Sequence, residues 1–234
     1  MAPPVKVPLT VVPEHECAYL PGRLACTRAF ACSQMPAELY HDFMDAGFRR
    51  SGAIIYQPIC RKCRACRAIR LAVGEFEPSK SQRRCRRRNA DLALTVGVPQ
   101  PSDEKFELYR RYQAQRHGKL DEERDGFEAF LYSSPVRTVE IVHRNSAGKL
   151  MGVGICDVSS RSLSSVYFYY DPAEGRRGLG IYSALTEIEL AQQMAIPYYY
   201  LGYWVEGCGI MQYKADFRPC EILGADGVWR RSSR

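Results

Sequence analysis

Short runs of apolar residues with strand-like spacing dominate the chain from residue 138 onward. Alternating apolar and polar side chains favour strands, and a short Asn- and Gly-containing turn between two such runs favours a hairpin. We expect that turn at residues 145–148, a glycine-opened helix at 174–194 and a short helix at 208–217. Strands are predicted at residues 138–143, 150–158, 163–170, 198–205, 220–223 and 228–230. Together these elements predict a mixed α/β (α+β) unit.

In the first half of the chain, helical spacing of apolar residues coincides with capping residues. Serine and aspartate favour helix starts and glycine favours helix ends, which marks Ser79, Asp103, Gly47 and Gly118. Helices are predicted at residues 36–47, 79–92, 103–119 and 126–132, and strands at 54–59 and 69–73. A break at residues 99–102 divides the chain. We expect an extended tail at residues 1–13, a Cys/Arg-rich N-terminal domain at 14–98 and a second domain at 99–234.

The composition is that of an ordinary globular protein, with 46% apolar and 25% charged residues among 234. Apolar runs all fall short of the roughly 20 residues that span a bilayer, so no membrane partner is expected. The first 13 residues contain four prolines and lack the apolar core of a secretion signal. We therefore expect a cytoplasmic protein whose ten cysteines stay reduced.

Positive charge is concentrated in one segment. Residues 49–88 hold 11 Arg and 2 Lys against 2 Glu, a local balance of +11 within a net charge of +7. Such clustering favours a polyanionic partner, although a solvated surface is the alternative. The helix predicted at residues 79–92 supplies the candidate tRNA contacts, namely Lys80, Arg83, Arg84, Arg87 and Arg88.

The strongest ligand-like spacing is Cys60-x-x-Cys63-x-x-Cys66. Zinc and iron–sulfur clusters need four ligands, so a fourth cysteine must come from elsewhere, with Cys17, Cys26 and Cys85 as candidates. Reduced thiols without a metal are the alternative. We expect the neighbouring arginines to lower the thiol pKa values.

The most aromatic segment is the strand predicted at residues 198–205, which ends next to Glu206. A strand of this kind is either buried in the core or faces a ligand. The glycine-rich turn before the preceding helix, residues 175–180, is a weak candidate for phosphate binding at a helix N-terminus. Its structural alternative is a tight turn. The four histidines, His15, His41, His117 and His143, fit no catalytic motif.

The order of strands and helices is that of a GNAT-type acyltransferase fold, and spaced motifs resemble those of arginyl-tRNA–protein transferases. In the first half these are Cys17-x-Tyr19-Leu20-Pro21, Cys60-x-x-Cys63-x-x-Cys66 and Ser79-x-Ser81-Gln82-Arg83-Arg84. In the second half they include Phe168-Tyr169-Tyr170-Asp171-Pro172, Tyr200-Leu201-Gly202-Tyr203-Trp204 and Cys208-x-x-Met211-x-Tyr213-Lys214. The resemblance covers residues 15–229 and is nearest to the bacterial aspartate/glutamate leucyltransferase branch.

The resemblance implies a GNAT-like domain that transfers leucine from leucyl-tRNA to the α-amine of proteins beginning with Asp or Glu. The product would enter N-degron degradation. It implies no cofactor for the chemistry. The cysteine spacing keeps Cys17, Cys60, Cys63 and Cys66 as candidate ligands for zinc or an iron–sulfur cluster, and eukaryotic members of the family are associated with an iron–sulfur cluster on their N-terminal cysteines. Eukaryotic members carry a second cysteine soon after the first, whereas this chain has Leu20 there, as in the bacterial form.

Chemical considerations suggest roles for residues of the aromatic strand and its surroundings. Glu206 would orient or deprotonate the amine, Tyr203 and Tyr213 would donate to the oxyanion or leaving oxygen, and Asp171 is an alternative acid. The acidic side chain of the acceptor needs a cation, for which Lys214, Arg176 and Arg177 are candidates. The donor leucine needs an apolar pocket, for which the candidates are Tyr200, Trp204 and Met211. Core packing is the alternative for each aromatic residue.

Three other functions remain open at this stage. Arginyl-tRNA is an alternative donor for the same acceptors, and it would need an acid in the donor pocket. An acetyl-CoA-dependent N-acetyltransferase would share the fold. A non-enzymatic zinc-knuckle RNA-binding module would use the N-terminal half alone.

Overall fold

The computed structural model describes residues 7–232. The N-terminal part forms a four-stranded antiparallel sheet from β1 (Thr10–Glu16), β2 (Leu24–Ala31), β3 (Arg49–Ser51) and β4 (Ile54–Pro58). Their order in the sheet is β1-β2-β4-β3. Helix α1 (Ala37–Asp45) buries Tyr40 and Met44 against this sheet. Residues 10–12, predicted as part of an extended tail, therefore pair with β2, while residues 1–6 lie outside the described part.

A larger sheet of eight strands makes up most of the molecule. Its strands are β5 (Cys66–Ala72), β6 (Ala93–Gly97), β7 (Thr138–Arg144), β8 (Leu150–Val158), β9 (Ser162–Tyr170), β10 (Tyr198–Val205), β11 (Glu221–Leu223) and β12 (Trp229–Arg231). Their order is β12-β11-β5-β10-β9-β8-β7-β6, and all neighbours are antiparallel except β9 and β10. The chain passes from the small to the large sheet between β4 and β5. The domain boundary after residue 98 stays a prediction, and it does not coincide with this change of sheet.

The parallel pair β9 and β10 separates along its length. Pairing is confined to Tyr198–Ser162, Tyr199–Leu163 and Tyr200–Ser164, although both strands continue beyond these residues. Gly202, at φ +84°, lies where the pairing of β10 with β5 shifts register between Tyr200 and Tyr203. A left-handed backbone of this kind favours glycine, and a bulge bends the strand. The divergence opens a cavity between the two strands.

Helices cover both faces of the large sheet. They are α2 (Lys80–Arg88), α3 (Asp103–His117), α4 (Arg124–Leu131) and α5 (Leu179–Gln193). Ile141 packs in the cluster that contains α5, whereas its neighbour Val142 packs in the cluster with α3 and α4. Successive strand residues point to opposite faces, so α5 lies on one face and α3 and α4 on the other. Short 3₁₀ helices occupy Val73–Glu75, Pro172–Arg177 and Gly209–Asp216.

Most predicted elements are confirmed, and the exceptions have local reasons. Ser79 caps the start of α2 and the left-handed Gly118 ends α3, as expected. The single helix predicted at residues 174–194 is wrong at its start, because a 3₁₀ segment and the left-handed Gly178 precede α5. The helix predicted at 208–217 is a 3₁₀ helix. Strands β1, β2, β3 and β6 were missed, and β1 and β6 are exposed along their whole length.

A buried ion pair joins the two sheets. Arg50 of β3 donates from Nε and Nη2 to Asp157 of β8 at 2.7 and 2.8 Å, and both side chains are fully buried. The Asp157 carboxylate also accepts from Tyr40 at 2.6 Å and from Thr138 at 2.8 Å. Such a fully hydrogen-bonded pair fixes the orientation of β3 relative to the large sheet.

Within residues 7–232, every helix is too short or too polar to cross a membrane.

Candidate active site

A cavity of about 570 Å³ lies where β9 and β10 diverge. Its walls come from both strands, the start of α5, the end of α3, the 3₁₀ helix Gly209–Asp216 and the β3 side of the small sheet. Only one carboxylate, Glu187, lines it among the residues that the structure describes. The basic side chains on its wall are Arg49, Arg50, Arg116, His117 and Lys214.

Strand β10 presents alternate side chains to the cavity. Tyr199, Leu201 and Tyr203 line it together with Gly202. Tyr200 and Trp204, both proposed as pocket walls, lie elsewhere: Tyr200 is buried against α1, and Trp204 is buried in the core under the Arg67 guanidinium at 5.0 Å. The structure therefore places these two aromatic residues in packing roles.

Two basic side chains converge on the bulge of β10. Lys214 donates to the carbonyl oxygen of Tyr203 at 2.9 Å, and Arg49 donates to that of Gly202 at 3.3 Å. Neither pairs with a carboxylate in the described chain. Removal from water and the neighbouring Arg49 lower the pKa of Lys214 to about 7. The pair forms a positive surface that an anionic substrate group would neutralise.

The two tyrosines proposed as proton donors both line the cavity. The Tyr203 hydroxyl donates to the carbonyl oxygen of Gly47 at 2.8 Å, and burial raises its pKa far above the ordinary value. Tyr213 has its pKa raised to about 12, chiefly because the protein shields it from water and secondly because Glu187 is near. Both hydroxyls are therefore protonated at neutral pH, and Tyr203 already has an acceptor within the protein.

The remaining polar candidates are not brought to the cavity wall. Glu206 is exposed beyond the end of β10. Asp171 accepts from the Ala173 backbone at 3.1 Å and pairs with Lys149 at 2.7 Å. Burial alone would raise the pKa of Asp171, but Lys149 and the Ala173 amide outweigh it and lower that pKa. Asp171 thus caps the 3₁₀ turn before α5.

The arginines of the glycine-rich turn also point away from the cavity wall. Arg177 donates to Asn89 at 2.9 Å and pairs with Asp91, which ties the turn to α2. Arg176 is exposed. Leu179 and Gly180, at the N-terminus of α5, do line the cavity. The predicted turn thus borders the cavity, but through Gly178 and Gly180 rather than its arginines.

Met211 and Lys214 are the proposed substrate contacts that the structure places on the cavity wall. Arg49 and Glu187 lie on the same wall and were missed. Arg49 is 153 residues from Gly202, and Glu187 lies in the middle of a largely buried helix. The one available signal was a charged residue, Glu187, on the buried face of α5.

The four proposed metal ligands line a second, smaller cavity of about 170 Å³ next to β10. No three His, Cys, Asp or Glu side chains in the described part of the chain are grouped so as to hold a metal ion. The Cys60 sulfur accepts from the Cys26 amide at 3.5 Å, and Arg23 donates to Cys63 at 3.6 Å. The cysteines therefore share a cavity without fitting a metal centre.

The expectation of lowered thiol pKa values is wrong for Cys66. Burial, followed by the nearby Cys17 thiol, raises the pKa of Cys66 to about 12. Desolvation, not positive charge, is the dominant influence on this thiol.

The basic helix α2 exposes all five proposed tRNA contacts. Arg88 donates to the Arg176 carbonyl at 2.6 Å, and Arg83 donates to the carbonyl of Pro78. Arg86, a sixth cation of this helix, pairs with Glu189. The remaining three, Lys80, Arg84 and Arg87, carry no ion pair with any described residue. Because α2 packs on α5, this charge lies on the α5 side of the molecule.

Comparison with known proteins decides the family. The model of the arginine-tRNA-protein transferase N terminus matches residues 15–84, and that of its C terminus matches residues 104–224. The chain belongs to the arginine-tRNA-protein transferase family. Members of this family are aminoacyltransferases. The resemblance inferred from the sequence motifs is confirmed.

Curated relatives match this chain over nearly its whole length. An aspartate/glutamate leucyltransferase of Hahella chejuensis is 38% identical over 92% of this chain and 93% of its own. Those of Saccharophagus degradans and Pseudomonas putida are 40% and 41% identical, each over 89% of this chain and 90% of their own. The similarity therefore includes both the small sheet and the cavity.

Solved structures similar to this family member include L-PGS from Bacillus licheniformis and FemX. The first has a TM-score of 0.48 and 15% identity over 87% of this chain and 66% of its own. FemX has a TM-score of 0.46 and 9% identity over 76% of this chain and 63% of its own. The mixed α/β, GNAT-like fold itself follows from the strand order and the diverging β9 and β10.

Proposed function

We propose that this protein transfers leucine from leucyl-tRNA to the α-amine of proteins that begin with Asp or Glu. The observation that carries the proposal is the Arg49–Lys214 pair, two cations without a carboxylate partner in the described chain, on the wall of a cavity. An acceptor with an acidic first residue would supply the missing anion. The names of the relatives at about 40% identity agree with this substrate class.

The acceptor would bind with its first side chain against the bulge of β10. Its carboxylate accepts hydrogen bonds from Lys214 and Arg49, which holds the adjacent α-amine in the cavity. An acceptor with an uncharged first side chain would leave these two cations without an anion. Lys214 thus serves substrate binding, as predicted from the sequence, with Arg49 as its partner.

The acyl donor would occupy the remainder of the cavity. Leu201 and Met211, together with Ala184 and Val166, supply apolar walls for a leucyl side chain. Attack by the acceptor nitrogen on the ester carbonyl forms the amide bond and breaks the bond from that carbonyl to the ribose oxygen. The nitrogen loses a proton, and the ribose oxygen gains one. Tyr213, protonated and on the wall, is the donor we favour for the developing oxyanion or leaving oxygen.

Glu206 remains a proposal for the group that takes the proton from the amine. It follows β10 directly but is exposed rather than on the cavity wall, so a base role would require a bridging water or movement of the segment. Glu206→Gln tests it. A variant with normal folding and normal turnover would remove Glu206 from the reaction.

The tRNA body would lie along α2. Its exposed cations have the charge that phosphates require, and α2 packs on α5, whose N-terminus reaches the cavity. This arrangement would let the acceptor stem cross the basic helix while its aminoacylated end enters the cavity. Cytoplasmic location and entry of the product into N-degron degradation belong to the same proposal.

Parallel transfer assays test the function. Radiolabelled leucyl-tRNA, arginyl-tRNA and acetyl-CoA are each offered with peptides that begin with Asp, Glu, Asn or Ala. We expect incorporation from leucyl-tRNA into the Asp and Glu peptides. Transfer from arginyl-tRNA alone would replace the donor, transfer from acetyl-CoA would replace the class of reaction, and tRNA binding without any transfer would support an RNA-binding module instead.

A further inference from the structure

Glu187 is a buried carboxylate that the proposed reaction has so far not used. It lies in the middle of α5, is 1% exposed and lines the cavity between β9 and β10. Its oxygens accept from the Ser183 hydroxyl and from the Tyr199 hydroxyl, each at 2.7 Å. Both partners are neutral, and no basic side chain of the described chain forms an ion pair with it.

A carboxylate in this setting is suited to hold a cation. Buried charges in proteins are ordinarily paired, because transfer of an ion out of water is costly. Burial raises the pKa of Glu187, while the hydroxyls of Tyr199 and Ser183 oppose this effect. The side chains that hydrogen-bond Glu187, which are Tyr199, Ser183, Ser165 and Cys156, are all uncharged, so none of them supplies a counter-charge. A ligand cation in the cavity would complete the group.

The neighbours of Glu187 at the cavity wall are small residues. Gly154 of β8 faces it, and a β-carbon there would lie 3.3 Å from the Glu187 Oε1 atom. Ser165 and Ser183 line the cavity beside it. Gly154 thus packs closely against the carboxylate from the β8 side, while the two serines border it on the cavity wall.

We propose that Glu187 binds the α-ammonium group of the aminoacyl donor. This proposal rests on the leucyl transfer proposed above. An aminoacyl ester carries a free α-amino group that is largely protonated near neutral pH. The cavity then has a negative site for the donor ammonium and a positive site, Arg49 and Lys214, for the acceptor carboxylate. Holding the donor amine as an ammonium also prevents it from acting as the nucleophile in place of the acceptor.

The expected consequence is selectivity for an acyl group with a free amine. Deamination of leucyl-tRNA gives 2-hydroxy-4-methylpentanoyl-tRNA, which keeps the side chain and the ester. Since the two esters differ in intrinsic reactivity, binding is measured with their non-transferable counterparts, attached to a 3′-amino-tRNA through an amide. We expect the wild-type protein to bind the amino form about 10- to 100-fold more tightly, the range for a hydrogen bond between charged groups. Equal binding would overturn the proposal.

Glu187→Gln separates the carboxylate from other sources of that selectivity. The variant keeps the shape of the side chain, and we expect the ratio of the two dissociation constants to fall to about 1–3. The matched control is Glu140→Gln, which removes a buried carboxylate paired with Lys105 at 2.5 Å and away from the cavity. The control should keep the wild-type ratio. An unchanged ratio in Glu187→Gln would overturn the proposal.

Further arms keep the outcomes distinct. Circular dichroism checks that the variants are folded. If Glu187→Gln is unfolded, Glu187→Asp, which moves the charge, should give a ratio of the two dissociation constants between those of the wild type and 1. A wild-type ratio in Glu187→Asp would count against binding of the ammonium by Glu187. If Glu187→Gln changes only the preference between leucyl- and arginyl-tRNA, the carboxylate contacts the donor side chain and the proposal fails. Absence of any leucyl transfer by the wild-type protein would instead reject the proposed function.

Discussion

The charge of Lys214 should govern acceptor affinity in the neutral pH range. Its pKa of about 7 means that about nine-tenths of the side chain is charged at pH 6 and about one-tenth at pH 8. If the charged form holds the acceptor carboxylate, KM for an Asp-starting peptide should rise about tenfold between these pH values. Lys214→Arg keeps a permanent cation, so KM should stay low and nearly constant. Lys214→Met should give a high KM at every pH.

The assay compares two acceptor peptides that differ only in the first residue, Asp or Asn. The α-amine of both titrates in the same range, so its effect on kcat cancels when KM and kcat are resolved for each peptide. We expect the Asp preference of the wild-type protein to shrink from pH 6 to pH 8 and that of Lys214→Arg to persist. An equal, tenfold loss of preference in Lys214→Arg would refute the assignment. So would a normal Asp preference in Lys214→Met.

Three further predictions concern stability and tRNA binding. Asp157→Asn leaves Arg50 buried with its charge uncompensated and should lower the free energy of unfolding by about 3–5 kcal/mol in urea titrations. Arg50→Met combined with Asp157→Leu should recover much of this loss. A double variant as unstable as the single one would contradict the ion-pair explanation. Burial holds the pKa of His143 at about 4, so an unfolded chain binds a proton that the folded one resists, and stability should fall by about 3 kcal/mol as pH drops from 6.5 to 4. His143→Leu should flatten that dependence in acid titrations at fixed urea, and an unaltered slope would exclude His143 as the cause. Lys80, Arg84 and Arg87 are the cations of α2 whose charged groups form no ion pair or hydrogen bond with another described residue. Their replacement by Gln should reduce the steepness of the plot of log K for tRNA against log salt by about 2 in filter-binding assays. An unchanged slope would place the tRNA elsewhere.

The fold was predictable where its signals are local. The Ser79 capping box and the left-handed Gly118 each lie within a few residues of the helix end they mark. Strands β1 and β6 escaped because they are exposed throughout and show no alternation of buried and exposed positions. Strand β3 is only three residues long. Pairing with another strand, rather than a pattern within the segment itself, stabilises each of them.

The candidate site was predictable only in part, because it is assembled from distant segments. The aromatic strand was the right place, yet the sequence does not show which face of it borders the cavity. Tyr203, with a register shift at Gly202 before it, lines the cavity, and Tyr200 does not. Arg49 reaches β10 from the other sheet, where the rings of Tyr200 and Tyr203 and the neighbouring Arg50–Asp157 pair hold that segment in place, and none of these long-range contacts is visible in the sequence.

The position of β5 in the large sheet limits which fragments of the protein can fold and be expressed. This strand comes early in the chain but hydrogen-bonds β10 on one side and β11 on the other. A fragment that begins after it would leave both neighbours with unpaired backbone edges, a known route to aggregation. On the ribosome, β5 emerges more than a hundred residues before its partners and must wait for them. The two halves of this chain should therefore work as co-expressed fragments only if the one carrying β5 is present when the other folds.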